Sequence, residues 1–126
     1  MQREFILRLS ARAKELGREV LPEQRVQISP TRYRIPDVTV LRESDERIVT
    51  SPPFICIEVL SKDDTMYYMQ EKIDDYLRFG VSYVWIINPR NKKAYVVTPS
   101  GMVEAASGVL ETENPAIRMP LSALFE

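Results

Sequence analysis

Apolar residues along this chain fall into blocks whose period changes several times, and each block predicts an element. Over residues 3–20, Ile6, Leu9, Ala13, Leu16 and Val20 recur at steps of three and four. That spacing predicts a helix with one apolar stripe. Arg3, Arg8, Arg12, Lys14 and Arg18 occupy the rest of its surface, and Gly17 weakens its last turn. Residues 25–29 read as a strand. Residues 30–36 read as a turn, because Pro36 holds Ile35 extended and cannot donate to a ladder. Residues 37–41 predict a second strand. Residues 42–53 are polar and end in Pro52-Pro53, so they read as a surface loop.

Residues 54–60 are almost continuously apolar, which predicts a strand buried on both faces. A helix follows over 66–79, with Met69, Ile73, Tyr76 and Leu77 as its buried stripe. Asp63, Asp64 or Thr65 can cap its start, and Gly80 suits its C-terminal cap. Residues 83–87 predict another buried strand, stopped by Asn88-Pro89. Residues 90–93 turn the chain back into a hairpin strand over 94–98. A weaker strand covers 102–105, and residues 121–125 form a short closing helix or turn. Helices and strands in this order predict an α/β fold, a mixed central sheet flanked by helices. At 126 residues, with no shift in composition, the chain reads as a single domain over 1–126.

Composition removes several chemistries. There is no histidine, which excludes Ser-His-Asp and Cys-His catalysis and histidine-ligated zinc. The one cysteine, Cys56, excludes an internal disulfide; it sits between Ile55 and Ile57 and reads as a small core residue. The four glycines make no phosphate loop. A net charge of −1 gives no global basic field, so a nucleic-acid site would need a local basic lining. No signal peptide or membrane span is visible, and the expected location is cytoplasmic.

The chemistry enters with Glu58, a carboxylate in the middle of a hydrocarbon strand. Ionised carboxylates are rarely buried unless paired or bound to metal. Asp37 opens the preceding apolar run, so the two acids can meet at one region of a sheet. Two carboxylates with a carbonyl and waters form an oxygen cage suited to Mg²⁺ or Mn²⁺. Without a cation, burial and like charge raise the pKa of one of them. Lys72, on the next helix and beside its buried stripe, can orient water or stabilise developing charge. Each residue also has a plainer reading. Asp37 can cap a turn, Glu58 can be a structural acid paired with a basic residue, and Lys72 can be a solvated helix residue.

Four ordered blocks resemble one family. They are Ile35-Pro36-Asp37-Val38, the run from Pro52 to Ser61, Glu71-Lys72-Ile73-Asp74-Asp75-Tyr76, and Gly80 to Pro89. The pattern resembles the Uma2 family of restriction-endonuclease-like proteins, within the PD-(D/E)xK nuclease superfamily. The resemblance implies a restriction-endonuclease-like core, with Asp37 as the PD aspartate and Glu58 as the motif acid. Superfamily members often carry a lysine two residues after the acid, where this chain has Leu60; the Uma2 pattern matches Lys72 instead, with Lys62 as the fallback. Relatives usually have residues ahead of the first helix, and Glu4 is a candidate substitute for an acid from that segment.

The implied activity is metal-dependent endonucleolytic hydrolysis of DNA, with Asp37, Glu58 and Lys72 catalytic and Asp37 and Glu58 holding Mg²⁺ or Mn²⁺. Arg8, Arg12, Arg32, Arg34 and Lys62 are the candidate phosphate contacts. The rival reading is a catalytically inactive nuclease-fold module that binds nucleic acid or a protein partner. A homodimer fits either.

Overall fold

The computed structural model describes residues 1–42 and 48–125. In chain order the elements are helix α1 (Gln2–Glu15) and strands β1 (Arg18–Pro22), β2 (Val26–Ser29), β3 (Arg32–Arg34), β4 (Val38–Arg42) and β5 (Ile55–Val59). Helix α2 (Met66–Phe79) comes next, then β6 (Tyr83–Asn88), β7 (Lys93–Thr98), β8 (Gly101–Glu104), β9 (Val109–Glu111) and β10 (Arg118–Pro120). A 3₁₀ turn, Leu121–Ala123, closes the chain.

Six strands form a mixed sheet in the order β1-β4-β5-β6-β7-β8. Only β5 and β6 are parallel; α2 is the crossover between them, and the other pairs are antiparallel. Alternation along the central strands divides the core. Ile55 and Ile57 of β5, with Trp85 and Ile87 of β6, pack against Phe5, Leu9 and Ala13 of α1. Cys56 of β5, with Val84 and Ile86 of β6, packs against Met69, Ile73 and Tyr76 of α2. The sheet is therefore sandwiched between two helices, and Glu58 belongs to the α2 side. Burial pushes the Cys56 thiol up, which suits a small core residue.

Helix α2 matches its predicted span. Thr65 Oγ1 accepts the Tyr68 N–H at 3.1 Å, and Gly80 closes the helix at φ +112°. A side chain at Gly80 would also meet Pro52 Cγ at 3.1 Å.

The structure departs from the predicted elements in several places. The helix over 3–20 stops at Glu15; Gly17 turns the chain at φ +69°, and 18–22 run on as β1 against β4. Val20 is buried from that strand, not from a helical stripe, while Phe5 joins the stripe in its place. The turn over 30–36 contains β3, which pairs with β2 in a separate two-stranded sheet. The β9–β10 hairpin lay outside the predicted strands. Of the loop over 42–53, residues 43–47 lie outside the described residues; beyond them, buried Val49 bridges Val26.

Candidate active site

The site forms where β4 begins and β5 ends. The register pairs Val38 with Ile57, so one further step sets Asp37 opposite Glu58. Asp37 is anchored at this junction. Its Oδ2 accepts the Val59 N–H at 2.7 Å, and its Oδ1 accepts from Gln2 Nε2 at 3.3 Å. Gln2 is the first residue of α1, so that helix reaches the site with its N-terminal end.

Glu58 is 2% exposed and fully partnered. Tyr76 donates its hydroxyl to Oε1 at 2.6 Å, and Lys72 Nζ lies 3.5 Å from Oε2. Residues 72 and 76 are one turn apart on α2, so a single helix face delivers both groups. Burial pushes the Glu58 carboxyl up; the Tyr76 hydrogen bond and the Lys72 charge pull it down, and the Asp37 charge pushes it up again. The balance is a pKa of about 7. Burial and the facing Glu58 charge push the Tyr76 phenol well up, so it stays a donor. Lys72 also stands over the Tyr68 ring, 5.0 Å from its centre.

A second charged group holds α2 beside the hairpin of β2 and β3. Arg34 donates from Nε to Asp75 Oδ2 at 2.8 Å, with Nη2 2.7 Å from the same oxygen. Burial works against the Arg34 charge, but the hydrogen bond and charge of Asp75 outweigh it, so the guanidinium is held more firmly protonated. Arg32 reaches Glu71 at 3.0 Å and Asp75 at 3.2 Å.

Asp37, Glu58 and Lys72 are thus brought together. Arg32 and Arg34 lie beside them on the hairpin but are engaged with Glu71 and Asp75. Lys62 is exposed in the turn after β5, which ends at Val59, so it does not continue the strand face that Glu58 occupies. Arg8 and Arg12 sit on α1, against the other face of the sheet. Arg8 faces Glu4 at 3.7 Å, which also occupies that acid; Arg12 faces Glu15 at 3.2 Å and donates to the Ala116 carbonyl. Gln2 and Tyr76 are site residues that the sequence reading missed. Tyr76 had one signal, its four-residue step from Lys72.

The donor set is two hard carboxylates. Among the described residues no cluster of three ligating side chains exists, so any cation there would keep waters or substrate oxygens in its shell. Mg²⁺ and Mn²⁺ tolerate that arrangement.

A mixed central sheet sandwiched between two helices places the chain in the restriction-endonuclease-like fold class. Residues 1–124 match the family described as "Uma2: Putative restriction endonuclease". The chain belongs to the Uma2 family. It overlays a crystal structure from Anabaena variabilis ATCC 29413, described as a "putative nuclease belonging to DUF820". The TM-score is 0.81 at 21% identity, over 98% of this chain and 77% of that one. It also overlays part of the cryo-EM DrdV–DNA complex, with a TM-score of 0.50 at 16% identity, over 94% of this chain and 9% of that one. At these identities the likeness is one of fold. Among curated proteins, none matches. No helix among the described residues is long and apolar enough to cross a membrane.

Proposed function

We propose that this chain is a single-domain, divalent-cation-dependent endonuclease that hydrolyses DNA phosphodiester bonds. The observation that carries the reading is the meeting of Asp37, Glu58 and Lys72 at one end of the central strands β4 and β5, with Lys72 Nζ 3.5 Å from the Glu58 carboxylate. The family's description supports nucleolytic chemistry, and the DNA-bound DrdV structure supports DNA as the partner.

The carboxylates of Asp37 and Glu58 would hold Mg²⁺ or Mn²⁺. When bound, the cation supplies Lewis-acid polarisation of the scissile phosphate. The chain's own residues do the rest. Asp37, fixed by the Val59 amide and Gln2, keeps one acid in place without side-chain rearrangement. Tyr76 holds Glu58 in one rotamer and favours its charged form. Lys72 directs its Nζ toward the same carboxylate, where it can orient the attacking water and offset charge building on the phosphate. In this reading the enzyme works in the reducing cytoplasm, where Cys56 keeps its free thiol, and two copies act together on two strands.

The test is cleavage of supercoiled DNA with Mn²⁺ by wild type and Glu58→Gln side by side. Wild type alone should nick and then linearise the plasmid. Equal cleavage by both would remove Glu58 from the chemistry and overturn the assignment.

One observation favours a second reading, a non-catalytic nucleic-acid or protein-binding module. Glu58 already has two internal partners, Tyr76 and Lys72, as a structural acid would. Cleavage by neither protein, with no Mn²⁺ binding by calorimetry, would select that reading.

A further inference from the structure

Alongside Glu58, on the same face of the sheet, lies an open cavity of about 450 Å³. Its wall includes Ile86, the register partner of Glu58 on β6, and Leu60, two residues beyond Glu58. Met69 and Ile73 of α2 form the facing wall, and Tyr95 and Met102 close the side toward β7 and β8. A cavity of this size, mostly apolar with a few polar groups, falls in the range of small-ligand sites, roughly 300–1,000 Å³.

The polar groups narrow the chemistry. Lys62 and Arg90 line the cavity, and among the described residues neither forms an ion pair. This contrasts with Arg32 and Arg34, which Glu71 and Asp75 occupy. Asp64, the one carboxylate in the lining, is turned onto Ser61, accepting from its amide at 2.7 Å and its hydroxyl at 3.2 Å. Gln70 donates from Nε2 to Asp74, which leaves its carbonyl oxygen as an acceptor. Asn88 accepts the Arg90 N–H through Oδ1, which leaves its amide nitrogen as a donor. An apolar slot with an aromatic ring, one donor, one acceptor and two cations that form no ion pair among the described residues matches a planar heterocycle joined to a phosphate.

We infer that this cavity is a nucleotide subsite, holding a base against its apolar walls while Lys62 and Arg90 hold the adjoining phosphate. The inference rests on the nuclease reading only in assigning that nucleotide to a DNA strand crossing the neighbouring Asp37–Glu58 pair. A free mononucleotide presents the same chemistry.

The test titrates the full chain, without divalent cation, and follows backbone amide NMR shifts at residues 60–64 and 86–90. The probes are deoxyadenosine 5′-monophosphate, deoxyadenosine, inorganic phosphate and a short single-stranded oligonucleotide. The nucleotide or the oligonucleotide should move these resonances. The Lys62→Ala/Arg90→Ala double variant, exposed at both positions and expected to fold, should weaken binding about tenfold. A response to the oligonucleotide alone would assign the site to a strand; a response to both would admit the free nucleotide. No shift with either, shifts the double variant leaves unchanged, or phosphate matching the nucleotide would overturn the inference. Cleavage is not the readout. A chain that binds nucleotides here without cutting DNA keeps the subsite and loses the nuclease reading, and one that cuts DNA without these shifts does the reverse.

Discussion

Glu58 is opposed by its own surroundings. Burial and Asp37 favour its neutral form, Tyr76 and Lys72 its charged form, and the carboxyl titrates near pH 7 in the cation-free protein. An ordinary glutamate in the unfolded chain titrates near 4.5. The folded state therefore binds the proton more tightly, and the contribution of this group to stability is full below about pH 4.5 and is lost as pH rises through about 7. The loss from this group is on the order of 3 kcal/mol. In EDTA, calorimetric melting of wild type should show this decline between pH 5 and 8, and Glu58→Gln should flatten it. A wild-type profile that Glu58→Gln leaves unaltered would refute the ionisation. Tyr76→Phe removes the donor that favours the charged carboxylate. It should raise the Glu58 pKa, move the acid limb of the cleavage profile to higher pH, and cost about 1–2 kcal/mol at pH 8 with less at pH 5. A uniform loss with an unmoved profile would make Tyr76 a packing residue only. Glu58 was legible because a carboxylate in a hydrocarbon run is anomalous by itself. The role of Tyr76 was not, because a tyrosine at a core position looks the same whether its hydroxyl has a partner or not. The partner comes from β5, eighteen residues away.

The elements explain why the rest of the fold was unevenly legible. Helix α2 was readable end to end because its stripe, Thr65 and Gly80 all agree. The end of α1 was not, because Leu16 and Val20 prolong the helical spacing while Val20 is buried from β1. The hairpin of β2 and β3 was half visible. Its second strand is short and exposed, so it has no apolar alternation to betray it. What that hairpin does was invisible, since Arg34 and Asp75 are distant in sequence. Asp75 is only 5% exposed, so truncating Arg34 leaves a nearly buried charge without its closest partner. Arg34→Met should cost about 3 kcal/mol in urea unfolding, and Arg34→Met/Asp75→Leu should recover most of it. A double variant no more stable than the single would show that the pair is not the clasp between hairpin and helix.

At the scale of the whole molecule, the net charge of −1 means that, in the nuclease reading, DNA would have to be met by a few local cations. Most basic side chains near the site are engaged with acids, so the salt dependence of DNA binding should be shallow. A slope of roughly −2 to −3 in log K against log salt, by fluorescence anisotropy, corresponds to two or three phosphates neutralised. A much steeper slope would mean that the Arg32–Arg34 group opens onto the DNA. The plan of the fold was legible from the order of its blocks, because a strand–helix–strand run with buried strands admits few arrangements. The two acids and the lysine of the candidate site were legible as candidates, and their supports, Gln2 and Tyr76, were not. The position of that lysine has a further consequence. A lysine at residue 60 would move with the strands and be lost only when the sheet is lost. Lys72 instead rides on α2, which is held to the sheet by side-chain packing and to the hairpin by Arg34 and Asp75. In the nuclease reading, any motion that parted α2 from the sheet would carry Lys72 away from Glu58, so the site would depend on the seating of that helix as well as on the pairing of the strands.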